Sequence, residues 1–423
     1  MSDTPTNDTR IRRRYRIETP MPLEQAAEML AGEQSSGTFV ALPDETPEIT
    51  NRHRARVERI VELGSTTTQA LPGCRTKSDI IRIAEITVSW PLENVGFNLP
   101  TLLATVAGNL YELAQFSGLK LLSIDLPEVF GKAFRGPAFG VEGTRALTSV
   151  QRRPLIGTII KPSVGLTIEA TAQLVDQLVG AGLDFLKDDE LLANPPYCPI
   201  EKRIDAVMDV INRHADRTGR KAMFAFNITD ELDAMQRHYD HIARRGGTCA
   251  MLSLNWVGLA ATKKIADRGQ LAIHGHRNGW GMFTRCPSLG MEYPAFVSIY
   301  RLAGVDQLHV NGIANKFWEP DDSVVASMEA CLRIPPGQTR RALPVVSSGQ
   351  WGGQAPETYR RTKTVDLLYQ AGGGIMAHPS GPVAGVRALQ QAWEAAVSGI
   401  DLDTYARTHS ELRQSIQMFG KKA

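Results

Sequence analysis

Ala181-Gly182-Leu183-Asp184-Phe185-Leu186-Lys187 returns later in the chain as Ala303-Gly304-Val305-Asp306-Gln307-Leu308-His309. In both stretches a helical segment closes on glycine, a short strand follows, and a polar side chain stands at the strand's C-terminal end. The first copy is preceded by Thr167–Gly180, where Leu174, Val175, Leu178 and Val179 form one apolar face, Thr167 is a fair N-cap, and Gly180 or Gly182 can end the helix. Working outward, short apolar runs recur at Leu155–Ile160, Phe185–Leu186, Met223–Phe226, Met251–Leu254, Leu271–Ile273, Gln307–Leu308, Leu343–Val346 and Leu367–Ala371, separated by longer amphipathic segments. Short apolar strands alternating with helices make parallel βαβ units, and eight of them in a chain of this length predict an α/β protein built on a (β/α)8 TIM barrel. The same rule puts Lys161, Asn227, Asn255, His276, Ser347 and Gly372 at the other strand ends, the rim where such barrels carry out chemistry.

Upstream the rhythm is different. Residues 1–12 begin with polar MSDTPTNDTR and read as a disordered N-terminus. Arg10, Arg12, Arg13, Arg14 and Arg16 could form a basic arm, but the interleaved Ile11, Tyr15 and Ile17 suit an exposed edge strand kept soluble by charge. A helix is expected after Pro22, an extended segment around Thr38–Leu42, a β-rich stretch over Ser78–Trp90, a helix over Thr101–Phe116 and a strand over Leu119–Leu126. Mixed elements without a βα rhythm predict an α+β N-terminal domain over 13–135. The Gly/Pro-rich stretch Gly136–Gly143 reads as a linker into a barrel domain over 136–423.

Composition narrows the function. The chain has 423 residues, of which 43% are hydrophobic and 22% charged, an ordinary globular balance that excludes wholesale disorder. Lys and Arg number 47 against 45 Asp and Glu, too even for a polyanion-binding surface, so no nucleic-acid partner is expected. No apolar stretch is long enough to span a membrane, and the polar start is unlike a signal peptide; a cytoplasmic protein is expected. Five scattered cysteines without CxxC spacing fit neither a disulfide framework nor a zinc cage.

The densest chemistry is Lys187-Asp188-Asp189-Glu190. Three carboxylates directly after a strand make a hard, oxygen-rich site suited to Mg²⁺. The lysine is anomalous there, since an ammonium repels a cation; it becomes a ligand only by losing its charge, as reaction of the neutral amine with CO2 to a carbamate would achieve. The plainer alternative is a solvated charged turn. Lys161, at the mouth of an apolar barrel, is either a proton-transfer group or a snorkelling side chain packed on the rim. His276-Arg277 and His309 together favour an anionic, hydroxylated ligand. Ser347-Ser348-Gly349 and Gly372-Gly373-Gly374 follow the seventh and eighth strands, where barrels often seat a phosphate on backbone N–H groups.

Taken in order, Gly157–Pro162 (GTIIKP), Asp184–Glu190 (DFLKDDE), His276-Arg277, His309 with Lys316, Pro344–Gly349 (PVVSSG) and Gln370–Gly374 (QAGGG) resemble the motifs of RuBisCO large chains. Glu33–Thr38 and Gly108-Asn109 are similar to segments that the family contributes to a partner subunit's site. The resemblance spans about Tyr15 to Trp393. It implies a carbamylated Lys187 that binds Mg²⁺ with Asp189 and Glu190, and Lys161 as the acid/base, aided by His276 and Asn109. It also implies Arg277, His309 and Ser347 at one anionic end, with Thr38, Gly349, Gly372 and Gly373 at a phosphate. Glu33 and Asn109 would come from the neighbouring subunit, making a homodimer, or a higher oligomer of dimers, the active assembly.

The departures are as informative. Ser163 stands where the carboxylases have a second lysine, Ile159 where they have threonine and Phe39 where they have tryptophan. The segment Asn311–Trp318 differs from their mobile loop, so Lys316 carries over only weakly. These changes point to a RuBisCO-like protein of the form IV kind, not a CO2-fixing enzyme. Its expected substrate is a phosphorylated keto-sugar, foremost a branched β-keto sugar acid such as 3-oxo-isoapionate 4-phosphate, which it would decarboxylate. Transcarboxylation or hydrolysis of the same compound is an alternative, as is isomerisation or enolisation of 5-methylthioribulose 1-phosphate. A non-catalytic metabolite-binding dimer would have been favoured by loss of Lys161, Lys187, Asp189 or Glu190, all of which are present.

Overall fold

The computed structural model describes residues 9–36, 44–75 and 78–420. Four strands precede the barrel: β1 (Arg10–Thr19), β2 (Arg56–Thr66), β3 (Ile81–Pro91) and β4 (Gly118–Asp125). The others are β5 (Leu155–Ile159), β6 (Phe185–Lys187), β7 (Met223–Asn227), β8 (Cys249–Ser253), β9 (Ala272–His276), β10 (Leu289–Met291), β11 (Gln307–His309), β12 (Leu343–Val346) and β13 (Leu368–Gln370).

One compact unit holds the described residues up to Arg135 together with Gly279–Leu302 and Ile334–Thr339. Its sheet has the order β10-β4-β1-β3-β2. The two later segments, read from the sequence as barrel, therefore fold with the N-terminal part; β10 does so by pairing in parallel with β4, Leu289 opposite Leu119. The arginine-rich strand is also placed differently. It is central rather than an edge, antiparallel to both β3 and β4. Period-two alternation buries Ile11, Arg13, Tyr15 and Ile17, and the strand starts at Arg10, so 10–12 are ordered rather than part of a disordered tail. The expected helix over Thr101–Phe116 is shorter, Leu99–Val106, capped by Asn98. Just past its end, a Cβ at Gly108 would lie 2.2 Å from the Ala104 carbonyl oxygen, a close approach that glycine alone permits. Strand β2 gave no sequence signal because its residues are mostly exposed and lack an apolar face.

The second unit, Gly136–Asn278, Ala303–Arg333 and Arg340 onward, is a closed barrel in the order β11-β12-β13-β5-β6-β7-β8-β9. Each of the eight apolar runs contains or overlaps one of its strands. Every pairing is parallel. The core includes Leu155, Phe185, Met223, Cys249, Ala272, Leu343 and Leu368. The Gly136–Gly143 stretch enters a helix at Gly140. The repeated aspartates are structural: Asp184 accepts the Ile156 N–H (2.9 Å) and Asp306 the Ile273 N–H (2.8 Å), each tying the start of its strand to a neighbour. Each repeat is thus anchored at its N-terminal end, and its last strand residue, Lys187 or His309, stands at the C-terminal rim. No helix among the described residues is long and apolar enough to cross a membrane.

Candidate active site

The ends of β5 and β6 bring two lysines and two carboxylates together. Lys161 follows β5, and its Nζ donates to Asp189 Oδ2 (2.6 Å) and Ser163 Oγ (2.7 Å). Lys187 closes β6 and is almost wholly buried; its Nζ donates to the Asp188 carbonyl (2.8 Å) and approaches Met251 Sδ (3.5 Å). Burial pulls its pKa down to about 8 against the opposing pull of Glu190, Asp189 and Asp188. The minor neutral fraction this leaves near neutral pH is the form that carbamate formation requires.

The three consecutive carboxylates have different tasks. Asp188 turns into the protein, where Oδ2 accepts from Arg203 Nη2 (3.1 Å) and the Asn227 N–H (2.9 Å). Arg203 also donates to the carbonyls of Cys198, Leu192 and Ala193, so it ties this turn to the segment that follows. Asp189 faces the mouth. Burial raises its pKa, but the Lys161 hydrogen bond and the Leu191 N–H outweigh this and hold it below the ordinary carboxylate range. Glu190 lies 3.6 Å from His276 Nε2, while Asn227 Nδ2 donates to the Asp189 and Glu190 carbonyls (both 3.2 Å). Among the described residues no three His, Cys, Asp or Glu side chains form a ready metal cluster. Two carboxylates beside a buried, partly neutral lysine do fit a divalent cation once that lysine supplies carbamate oxygens as further hard ligands.

The other side of the mouth is built on β9, β11 and β12. His276 accepts the Asn278 N–H at Nδ1 (3.2 Å), and its ring packs on His309 with centroids 4.4 Å apart. Burial, then the Lys187 charge, drives His276 well below its ordinary pKa; burial, then the neighbouring histidines, does the same to His309. His309 contacts Ser347 Oγ (3.1 Å) and His274 Nε2 (2.8 Å). Arg277 pairs with buried Glu319, which also accepts from Asn311 Nδ2 (2.6 Å).

The glycine-rich ends complete the rim. A Cβ on Gly372 would lie 3.9 Å from Lys161 Cε, whereas one on Gly373 would meet open space. Gly349 takes φ +82°, and the Lys316 N–H donates to the Ser348 carbonyl (3.1 Å), so Lys316 docks beside the end of β12 with its Nζ 5.1 Å from the Phe317 ring centre. The barrel unit therefore gathers Lys161, Lys187, Asp189, Glu190, His276, Arg277, His309, Lys316, Ser347, Gly349, Gly372 and Gly373. Glu33 and Asn109 belong to the N-terminal unit, where Gln34, with its amide turned to satisfy both partners, donates to the Ala104 carbonyl (3.1 Å) and accepts the Asn109 N–H (3.2 Å). Thr38 lies outside the described residues. Sequence reading missed His274, Arg203, Asn311 and Glu319. Only His274 had a signal: two residues before His276 in one strand, it points the same way.

Residues 140–419 match the family described as ribulose bisphosphate carboxylase large chain, catalytic domain, and residues 4–130 match its N-terminal domain. A Xanthobacter autotrophicus protein named 3-oxo-isoapionate-4-phosphate transcarboxylase/hydrolase is 50% identical, over 95% of this chain and 97% of that protein. A Rhizobium etli protein named 3-oxo-isoapionate-4-phosphate decarboxylase is 45% identical over 96% and 98%. The crystal structure of a rubisco-like protein from Burkholderia fungorum superposes with a TM-score of 0.91 at 45% identity, covering 97% of this chain and all of that one.

Proposed function

The chain belongs to the RuBisCO large-chain family as a RuBisCO-like protein, and from that premise we propose that it decarboxylates a phosphorylated branched β-keto sugar acid, 3-oxo-isoapionate 4-phosphate, rather than fixing CO2. The observation that carries this reading is the Lys161–Asp189 contact of 2.6 Å beside buried Lys187, a proton donor set directly against the candidate metal ligands. Asp189, Glu190 and a carbamate on Lys187 would hold Mg²⁺, which would supply Lewis-acid polarisation of a keto oxygen. The scissile C–C electron pair moves toward that carbonyl as CO2 leaves, giving an enediolate. Lys161 Nζ then delivers the proton that converts the enediolate to a ketose phosphate. Asp189 and Ser163 hold that Nζ in place, and His276 stays neutral next to Glu190.

The Gly372 and Gly373 backbone is the phosphate seat in this reading. Glu33 and Asn109, brought near one another through Gln34, complete a neighbouring subunit's site in a homodimer. The greater identity to the transcarboxylase/hydrolase favours hydrolytic cleavage as a second reading. Incubation with 3-oxo-isoapionate 4-phosphate and Mg²⁺-bicarbonate distinguishes them. Decarboxylation releases CO2 and a four-carbon ketose phosphate, whereas hydrolysis gives two acids without CO2. Incorporation of labelled CO2 into an acid-stable product from ribulose bisphosphate would overturn both. Mixing inactive Asn109→Ala with inactive Lys187→Ala protomers tests the assembly, since shared sites recover activity in hybrid dimers. No recovery despite demonstrated subunit exchange removes Asn109 from the partner's site.

A further inference from the structure

An inference that rests on the reading above and refines its substrate comes from the β9, β11 and β12 ends. By family resemblance Arg277, His309 and Ser347 would hold an anionic end of the substrate. In this chain each is already committed elsewhere. Arg277 Nη2 donates to Glu319 Oε2, and that carboxylate, 4% exposed, also accepts from Asn311 Nδ2 (2.6 Å) and, at Oε1, from Ser323 Oγ (2.8 Å). A guanidinium and a carboxylate in contact largely cancel for any third charge farther away.

The protons are fixed as well. Gln307 Nε2 faces Thr144 Oγ1 (3.2 Å) and Met223 Sδ (3.3 Å), and a thioether has no hydrogen to give, so Oε1 is turned to His274. His274 Nδ1 therefore donates to that oxygen (2.8 Å). A neutral His274 then accepts at Nε2 from His309 Nε2–H (2.8 Å), which leaves His309 Nδ1 to accept the Ser347 hydroxyl proton (3.1 Å). Ser348 gives its own proton to Asn311 Oδ1 (2.7 Å). Ser347 thus offers lone pairs, and a ligand there has to bring a donor.

We propose that Glu319 is a specificity-determining residue: by neutralising Arg277 it makes this end of the mouth a seat for an uncharged, hydroxyl-bearing end of a monophosphorylated sugar acid and excludes a second phosphate. A phosphate there finds Arg277 already neutralised and faces the lone pairs of Ser347, whereas a hydroxyl can donate to those lone pairs. Calorimetric binding of ribulose 1,5-bisphosphate and ribulose 5-phosphate to the full-length protein tests this without requiring turnover, so its outcome is independent of whether the sugar acid is decarboxylated. Glu319→Gln removes the carboxylate that neutralises Arg277, and bisphosphate affinity is expected to rise about tenfold or more, with the monophosphate affinity changed less than about twofold. Adding Arg277→Gln should abolish the gain. An unchanged bisphosphate affinity in folded Glu319→Gln protein overturns the proposal. Should that variant fail to fold, the Arg277→Gln/Glu319→Gln double variant, which preserves net charge, decides. Parent-like bisphosphate affinity is expected, and a loss of about tenfold would show that Arg277 holds the anion in the parent.

Discussion

At the ends of β5 and β6 the charges partner one another, Lys161 with Asp189 beside buried Lys187, and two of them reach the mouth: Lys161 is partly exposed and Glu190 is within reach of solvent. Across the mouth, at the ends of β9, β11 and β12, equally polar residues have been paired off, Arg277 with Glu319 and each histidine with a neighbour. Residue type alone does not separate the two sides. What separates them is where each polar atom's partner lies, since a partner supplied by the protein consumes a charge or a proton that a partner supplied by the ligand would otherwise use. On this contrast the β5–β6 side does the chemistry, and the opposite side positions and discriminates.

The sharpest way to break the contrast is Lys187→Ala. If the chemistry resides on the β5–β6 side, turnover should fall about 10³-fold or more, and dependence on added CO2 should vanish with it. The check is steady-state decarboxylation with and without bicarbonate, with Mg²⁺ present. Activity near the parent level in this variant would move the chemistry elsewhere.

A second test divides neighbours in sequence. Asp188 and Asp189 are adjacent, yet the first faces Arg203, with both side chains fully buried, and the second faces Lys161. Burial raises the Asp188 pKa while the Arg203 charge opposes it. Removing one partner of a buried pair leaves an uncompensated charge, so Arg203→Met should cost about 3–5 kcal/mol in urea unfolding. Asp189→Asn should leave unfolding close to the parent and abolish activity. Equal loss of stability in both variants would mean that both aspartates are structural.

That division marks what the sequence makes legible. All eight barrel strands are readable because each couples a short apolar run to a helix of regular period. The strand-end residues are readable because barrel topology fixes which end carries them. The N-terminal sheet is less so: β2 is exposed and has no apolar alternation, and the central place of β1 depends on β4, which lies far along the chain. In the site, Lys187-Asp188-Asp189-Glu190 announces itself as a run of charge, but which carboxylate turns inward depends on Arg203 on the next helix. Glu319 carries no signal at all, because its meaning lies entirely in contact with Arg277 across 42 positions of chain.

The smallest effect reads the discriminating side by its pH response. Burial, reinforced by the Lys187 charge, lowers the His274 pKa to about 3, and the Gln307 hydrogen bond only partly offsets this. In the unfolded chain the same imidazole titrates near its ordinary value of about 6.5. Between these limits the unfolded state binds a proton that the folded state refuses. Folding stability is therefore fully present above about pH 6.5 and declines as pH falls toward the depressed value, by about 1.4 kcal/mol per pH unit for this residue. His309 and His276 shift in the same direction and steepen the decline. His274→Gln keeps a polar group near Gln307 and His309 but removes one titrating site. Comparing urea unfolding at pH 6 and pH 5, the parent should lose about 1 kcal/mol more than the variant over that unit. Identical slopes would mean that His274 takes up its proton in the folded state, and the Gln307–His274–His309–Ser347 chain could not hold the proton order that turns the Ser347 lone pairs toward the ligand.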